Sequence, residues 1–484
     1  MKPGLLNNDF SDFNLSQEIL KALKEINFYN PTPIQKKVIP QFKSSKQDII
    51  ASAQTGTGKT AAFGLPLIDL VSHKVGYTQA LILCPTRELC IQIAKDLNTF
   101  SKYQKSINIL PVYGGDPIER QIRALKNNNQ IIVGTPGRTK DLIRRKKLKI
   151  SKVSRVILDE ADEMLSMGFK EDLEFILSKI NVNRQTLLFS ATMTKKVKEI
   201  TKRYMNDPVE MSVAKSNTIV KNVKHLLYFV EKKDKYEAVK RIVDINQNIY
   251  GIIFCRTRND TKLVAHKLVN DKYSADTLHG DLSQSQRDDV MFKFRNKQVK
   301  ILVATDVAAR GIDINNLTHI INYNLPDDDE IYVHRSGRTG RAGKKGVSIV
   351  IATYRDKRKL KDIEKKSNIS FINGKLPNGP EICKSKLFTL IERIQNVKVN
   401  ERQIQPFLQE ILKELELLDR EQLIKHFIST EFNRYLTYYE GAKDINSSTK
   451  SIDKKRGLNR KKFQRKKNFR KFSGKKYSKK KFKK

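Results

Sequence analysis

The sequence has no tryptophan, only four cysteines, and no apolar run approaching the roughly 18 residues needed to cross a bilayer. Cys84, Cys90, Cys255 and Cys383 form no CxxC pair and no zinc-type Cys/His cluster. They read as scattered core thiols, which argues against a disulfide framework or a structural metal. The start, MKPGLLNNDF, lacks the charged, apolar and small-residue regions of a secretory signal, so a cytoplasmic protein without membrane contact is expected. Apolar residues still make up 39% of the 484, enough to organise more than one core, and two or three domains are expected.

Acidic residues are scarce beside basic ones, 52 against 94, and the resulting net charge of +42 is the footprint of a polyanion binder, most simply a nucleic acid. Eighteen of those charges sit in residues 454–484, which hold no Asp or Glu, leaving 24 for the first 453 residues. From Gly441 onward the chain is polar and then almost wholly basic, too poor in apolar surface to order itself, so 441–484 reads as a disordered basic tail. Phe463, Phe469, Phe472, Tyr477 and Phe482 are interleaved with the cations, a mixture that suits phosphate attraction combined with base stacking.

Between about residue 45 and 350, short apolar β-branched runs alternate with longer amphipathic stretches. That pattern predicts an α/β fold of parallel sheets with helices on both faces. Expected buried strands are Asp48–Ala51, Ala80–Cys84, Gln130–Gly134, Arg155–Leu158 and Thr186–Phe189, then Gly251–Cys255, Ile301–Ala304, His319–Asn322 and Gly346–Ile351. The polar stretch 214–220 between the sets reads as a linker, dividing the chain into lobes at 1–213 and 221–368. Helical spacing then takes over, with Leu387, Leu390, Ile391, Ile394 and Val397 on one face. Phe407, Ile411, Leu415 and Leu418 follow, with Pro406 expected in a first turn, and Asp419 with Gln422 resembles a capping box. A small helical domain over 380–440 is expected.

The strongest local signal is a strand running into Ala53-Gln-Thr-Gly-Thr-Gly-Lys-Thr60. Glycines let backbone N–H groups wrap a phosphate, and the helix that follows adds favourable potential. Ala53, Gln54, Thr55, Gly56, Thr57 and Gly58 would form the loop, Lys59 would reach the β- and γ-phosphates, and Thr60 would help hold Mg²⁺. Farther on, Val156-Ile-Leu158 ends in Asp159-Glu-Ala-Asp162 and puts carboxylates at the end of a buried strand, where open α/β sheets bind ligands. Asp159 would hold Mg²⁺, largely through water, and Glu160 would orient the water attacking the γ-phosphate.

Taken in order from about Phe10 to Gly343, these motifs resemble the DEAD-box ATP-dependent RNA helicases. The resemblance implies two tandem RecA-like domains, ATP and Mg²⁺ as ligands, and RNA as partner. Phe28-Tyr-Asn-Pro31-Thr-Pro-Ile-Gln35 is similar to the family's Q motif, in which Gln35 would read the adenine edge and Phe10 would stack on the base. Asn27 stands where the family commonly has Gly.

Pro85, Thr86 and Arg87, the pair Gly114-Gly115, and Thr135, Pro136, Gly137 and Arg138 resemble the RNA-contacting loops of the first lobe. Arg256, Thr257, Gln284, Arg287, Thr305 and Arg310 resemble those of the second. Ser190-Ala-Thr192, with Asp162 and His334, would couple the ATP site to closure, and Asp313 would meet the nucleotide. In His334-Arg-Ser-Gly337-Arg338-Thr-Gly-Arg341, Arg338 and Arg341 would be arginine fingers delivered from the opposite lobe.

Because phosphate loop and arginines would lie on different lobes, hydrolysis would need closure, and two ligands preferring the closed state would raise each other's affinity. RNA would be held largely without regard to sequence, and a short duplex opened locally. The helical region resembles the dimerising extension of the bacterial DeaD/CsdA-type helicases of cold adaptation, mRNA turnover and ribosome assembly. A homodimer through 380–440 and a monomeric prop both stay open, as do ribosomal particles or RNA-decay machinery as partners. Two rival readings are a nucleotide-gated RNA clamp that unwinds nothing and a DNA translocase.

Overall fold

The structure is a computed structural model that describes residues 9–53, 57–104, 106–212, 222–309, 317–340 and 344–446. The linker expected at 214–220 and the basic stretch 447–484 lie outside the described residues.

The first lobe begins with helices α1 (Gln17–Glu25) and α2 (Pro33–Ser44). It continues as β1 (Ile49–Ser52), α3 (Lys59–Leu70), β2 (Ala80–Leu83), α4 (Arg87–Phe100), β3 (Ile109–Val112), α5 (Ile118–Ala124), β4 (Ile131–Gly134) and α6 (Pro136–Arg144). It closes with β5 (Arg155–Leu158), α7 (Ala161–Ser166), α8 (Lys170–Lys179), β6 (Gln185–Ser190), α9 (Lys195–Tyr204) and β7 (Val209–Ser212). The strands form one parallel sheet ordered β3-β4-β2-β5-β6-β1-β7.

The second lobe runs β8 (Val223–Phe229), α10 (Lys235–Ile245), β9 (Gly251–Cys255), α11 (Arg258–Asn270), β10 (Ala275–Leu278), α12 (Gln284–Arg295) and β11 (Ile301–Thr305). Then follow α13 (Asp306–Ala309), β12 (His319–Asn322), α14 (Asp329–Ser336), β13 (Gly346–Ala352), α15 (Lys357–Ser367) and β14 (Ile372–Asn373). Its sheet is ordered β10-β11-β9-β12-β13-β8-β14. Helices α16 (Gly379–Asn396), α17 (Glu401–Glu414) and α18 (Arg420–Tyr439) complete the described chain.

The apolar strand runs follow from burial on both faces. Alternate residues of one strand enter different cores: Ile49, Ala51, Leu187 and Phe189 pack with α2, α3 and α4. Their neighbours Ile50 and Leu188 pack with α6 to α9 through Leu142, Met164, Leu173 and Val197. The second sheet divides in the same way, Ile253 and Val303 to one side and Ile252 and Leu302 to the other. Among the described residues no helix is long and apolar enough to cross a membrane.

The expected strands are present to within a residue or two at either end, but β3, β7, β8, β10 and β14 were not foreseen. β3, β7, β10 and β14 lie at sheet edges, and all of these but β3 lack a fully apolar run; β8, next to an edge, alternates buried Val223, His225 and Leu227 with more exposed neighbours. Asn27 takes φ 55°, a left-handed conformation that Asn tolerates better than most side chains and that explains a preference for Gly there.

The helical region differs from expectation in two respects. Helix α17 begins at Glu401, so Pro406 lies inside it rather than in a first turn; five residues ahead of it continue the helix at the expense of one backbone hydrogen bond. The apolar face is also uncovered, with Phe388 and Phe407 each 60% exposed and Leu412 56% exposed. The capping box of Asp419 with Gln422 is formed.

The near ends of α16 and α18 are fastened to α10. Buried Asp244 accepts hydrogen bonds from the Tyr273 hydroxyl at 2.7 Å and the Tyr439 hydroxyl at 2.6 Å. Buried Arg241 donates to the carbonyls of Pro377 and Lys443. The polar stretch that was expected to be disordered from Gly441 therefore first returns to the second lobe: Ile445 packs on its core, and the Asn446 side chain pairs with the backbone of Leu376.

Candidate active site

Strand β1 ends where the phosphate loop begins, and the Ala53 N–H donates to the Ser190 carbonyl at 3.0 Å, tying the loop to the end of β6. Gln54, Thr55 and Gly56 lie outside the described residues. Gly58 has φ +85°, and a Cβ there would strike the Gln35 amide, so this position needs glycine for both conformation and space. Gln35 itself caps α2 by accepting from the Thr32 N–H at 2.8 Å and donates to the Gly58 carbonyl at 2.9 Å. An amide has two N–H donors and two carbonyl lone pairs, so one of each remains for a base edge.

Phe10 is 3% exposed and stacks on Phe28 with ring centroids 5.2 Å apart. Its expected place against a base is thus taken by core packing, and Phe28 is the more accessible ring of the pair.

Lys59, the first residue of α3, is buried. Its Nζ lies 3.5 Å from Asp159 Oδ1 and has no hydrogen-bond partner among the described residues. Burial works against its charge, but Asp159, Glu160 and Asp162 outweigh that and raise its pKa. A buried ammonium beside a carboxylate, next to a left-handed glycine and at a helix start, fits a phosphate group bound with its magnesium ion.

Glu160 takes φ 52° at the start of α7, a strained backbone for a non-glycine residue at the carboxylate end of the sheet. Burial raises its pKa; Lys59 opposes this, Asp159 adds to it, and Arg338 of the other lobe opposes it. Asp162 accepts from the Ala191 and Thr192 N–H groups at 3.1 and 2.9 Å and from the Thr192 hydroxyl at 2.9 Å, while Ser190 Oγ donates to the Thr192 carbonyl. The three expected coupling residues of the first lobe thus form one hydrogen-bonded unit.

The second lobe meets this unit through α14. His334 Nδ1 lies 3.0 Å from Glu163 Oε1, and burial lowers its pKa less than Glu163, Asp162 and Glu160 raise it. Two residues not singled out in the sequence belong here. Glu163 is the cross-lobe partner of His334, and buried Arg335 grips Asp306 through Nε and Nη2 at 2.5 and 2.7 Å while donating to Asn322 and Asn324. Arg335 stands inside the motif already read as arginine-rich, so its signal was present and only its role was missed. Arg310, Asp313 and Arg341 lie outside the described residues.

Some of the residues expected to contact RNA meet across the same junction. Arg87 Nη2 reaches Asp288 across the lobes at 2.9 Å, and Arg287 Nη2 reaches Glu88 at 3.2 Å. Gly115, at φ +81°, leaves room only for the Gln284 side chain of the opposite lobe. Thr86 and Thr257 cap α4 and α11 with their hydroxyls, and Thr135 opens α6 ahead of Pro136 and Gly137. Pro85 directly precedes the Thr86 cap. Arg138 donates to the Asp116 carbonyl, Arg256 to the Leu325 carbonyl, and Thr305 ends β11 with its hydroxyl accepting from the Ala308 N–H. Helix starts, small residues and guanidinium groups on both lobes form a surface able to bind a phosphate backbone.

Two sheets of RecA type, one ending in a phosphate loop and paired carboxylates and the other presenting His334 and Arg338 to them, define a two-lobed nucleotide-dependent motor. Residues 32–200 match the DEAD/DEAH box helicase family, 234–343 the helicase conserved C-terminal domain, and 382–440 the probable ATP-dependent RNA helicase, helical domain. The chain is 45% identical over 388 residues to the DEAD-box ATP-dependent RNA helicase CshA of Geobacillus kaustophilus, covering 80% of this chain and 83% of that one. It is 43% identical over 386 residues to CshA of Bacillus subtilis, covering 80% and 78%. Among solved structures, S. cerevisiae Dbp5 bound to RNA and ADP BeF3 is 29% identical with a TM-score of 0.69, covering 78% of this chain and all of that one. The chain belongs to the DEAD-box ATP-dependent RNA helicases.

Proposed function

We propose that the protein is a cytoplasmic RNA-dependent ATPase that clasps RNA across both lobes, opens short duplexes locally and remodels RNA–protein particles. The observation that carries this reading is the composite junction: a buried Lys59 ammonium beside Asp159 and the Glu160 carboxyl on one lobe, with His334 and Arg338 delivered from the other.

In this reading Lys59 and the loop from Ala53 to Gly58 bind the ATP phosphates, and Gln35 uses its remaining donor and acceptor on adenine. Thr60 and Asp159 would hold Mg²⁺, which when bound neutralises charge on the β- and γ-phosphates. Glu160 orients the attacking water, and Arg338 with Arg341 stabilises charge on the transferring phosphoryl group. Glu163 and His334 join the lobes when both ligands are present. RNA phosphates compete for Arg87 and Arg287, whose present partners, Asp288 and Glu88 respectively, are carboxylates of the opposite lobe. The exposed Phe388, Phe407 and Leu412 favour a homodimer through 380–440, and the basic tail favours ribosomal or RNA-decay particles as targets.

The test is ATP hydrolysis by the full chain with RNA, with DNA of the same sequence and with neither, beside displacement of a short labelled strand. Stimulation by RNA alone with strand release is expected. Equal stimulation by DNA would favour a DNA translocase, and stimulation without strand release would leave an RNA clamp. Light scattering of the parent and of Phe407→Ser should show a dimer converted to monomer.

A further inference from the structure

Helix α14 has two working faces. Ile331, His334 and Arg335 recur at helical spacing and, with Arg338 in the turn that follows the helix, line a pocket together with Glu163 of the first lobe. Tyr332 and Ser336, four residues apart, point the other way, into the second lobe, and both are buried.

Beneath them lies a polar floor. The Tyr332 hydroxyl is 2.7 Å from His225 Nδ1 and 3.2 Å from Ser348 Oγ, and Ser336 Oγ is 2.9 Å from Ser348 Oγ. His225 and Ser348 are register partners on β8 and β13, so one rung of the ladder builds the whole floor. Farther along the same face the strands present Leu227, Val350 and Ala352, which pack against α15. Phe371 closes the edge, its ring perpendicular to that of His225.

Apolar packing is non-directional and lets a helix slide or turn slightly at little cost, whereas hydrogen bonds between buried hydroxyls hold only at a fixed separation and angle. Among the described residues His225 Nε2 has no hydrogen-bond partner. None of the four side chains faces the lobe junction, so their effect on chemistry can pass only through α14.

We infer that Tyr332, Ser336, Ser348 and His225 form a positioning network that fixes the rotation of α14 and so aims Arg338 at the first lobe. This rests on the reading that Arg338 acts on the transferring phosphoryl group. Misplacement of a catalytic group by about 1 Å can cost on the order of a hundredfold in rate, so loss of one anchoring hydroxyl should be visible in kcat.

The experiment measures RNA-stimulated ATPase of the full chain, titrating ATP and RNA separately, for Tyr332→Phe, Ser348→Ala, His225→Gln, His225→Ala and Arg338→Ala. Tyr332→Phe and Ser348→Ala, assayed well below the Tm of each variant, should each lower kcat roughly threefold to thirtyfold, with the KM for ATP and the half-saturating RNA concentration essentially those of the parent. Their combination should be no worse than the worse single change. His225→Gln, which keeps a hydrogen-bonding group, should retain kcat that His225→Ala loses. Parental kcat in Tyr332→Phe and Ser348→Ala beside a collapsed Arg338→Ala would overturn the network alone. So would a loss of kcat that follows a fall in Tm. Parental kcat in Arg338→Ala would instead sink the reading of Arg338 on which the inference stands.

Discussion

The two lobes are built on the same plan: each sheet has the same order of strands when counted from its own first strand. Even the lysines correspond. Lys59 opens α3 after β1, and Lys235 opens α10 after β8. Yet Lys59 faces the carboxylate at the end of β5, while Lys235 donates to the Tyr323 carbonyl at the end of the corresponding β12. The carboxylates raise the pKa of Lys59, whereas burial lowers that of Lys235. Where the first lobe has a glycine-rich loop and Asp159-Glu160, the second has Val230-Glu231-Lys232 and Tyr323-Asn324. One scaffold thus yields an anion site in one lobe and a structural tie in the other, because chemistry resides in the strand ends rather than in the fold.

The sharpest way to break this comparison is to truncate both lysines. Lys59→Ala should abolish binding of a fluorescent ATP analogue, whereas Lys235→Ala should bind it as the parent does; equal losses would mean the lobes share the nucleotide more evenly than their strand ends imply. Arg338→Ala should then lower RNA-stimulated kcat by roughly 10³ to 10⁵, with nucleotide affinity nearly unchanged. Glu160→Gln should lower kcat by about 10² to 10⁴ and hold RNA in a long-lived ATP complex, seen as slowed RNA dissociation; turnover at the parental rate would remove Glu160 from its proposed role.

A smaller effect distinguishes the stability of the lobes. Burial lowers the pKa of His225 to about 4, so the ring is neutral in the fold and gains a proton more readily when unfolded. Its contribution is complete above pH about 6.5 and is lost as pH falls toward 4, up to about 3 kcal/mol. Calorimetry should show the second lobe losing stability faster than the first over that interval, with the difference reduced in His225→Gln. The smallest expected effect on catalysis comes from deleting residues 451–484: saturated ATPase should stay near parental while RNA binding weakens and its salt dependence flattens. An unchanged salt slope would detach the tail from RNA binding.

Much of this was legible in the chain because the pertinent signals are local. Burial on both faces forces continuous apolar runs, which marked β1, β2, β4, β5, β6, β9, β11, β12 and β13. The phosphate loop and Asp159-Glu160 were legible because backbone wrapping and strand-end carboxylates demand particular residues at fixed spacing. Edge strands β7, β10 and β14 were not, since a half-covered strand need carry no such run, and Pro406 misled because a single proline inside a helix looks like the start of one.

The sequence by itself determined the nine core strands, since each follows from residues adjacent along the chain. Only the tertiary structure decided that Glu163 meets His334, that Arg335 grips Asp306 and that the helical region is pinned through Asp244. Those pairs join residues far apart in sequence, and their carboxylates, imidazole and guanidinium groups look like ordinary surface charge until folding removes the water between them.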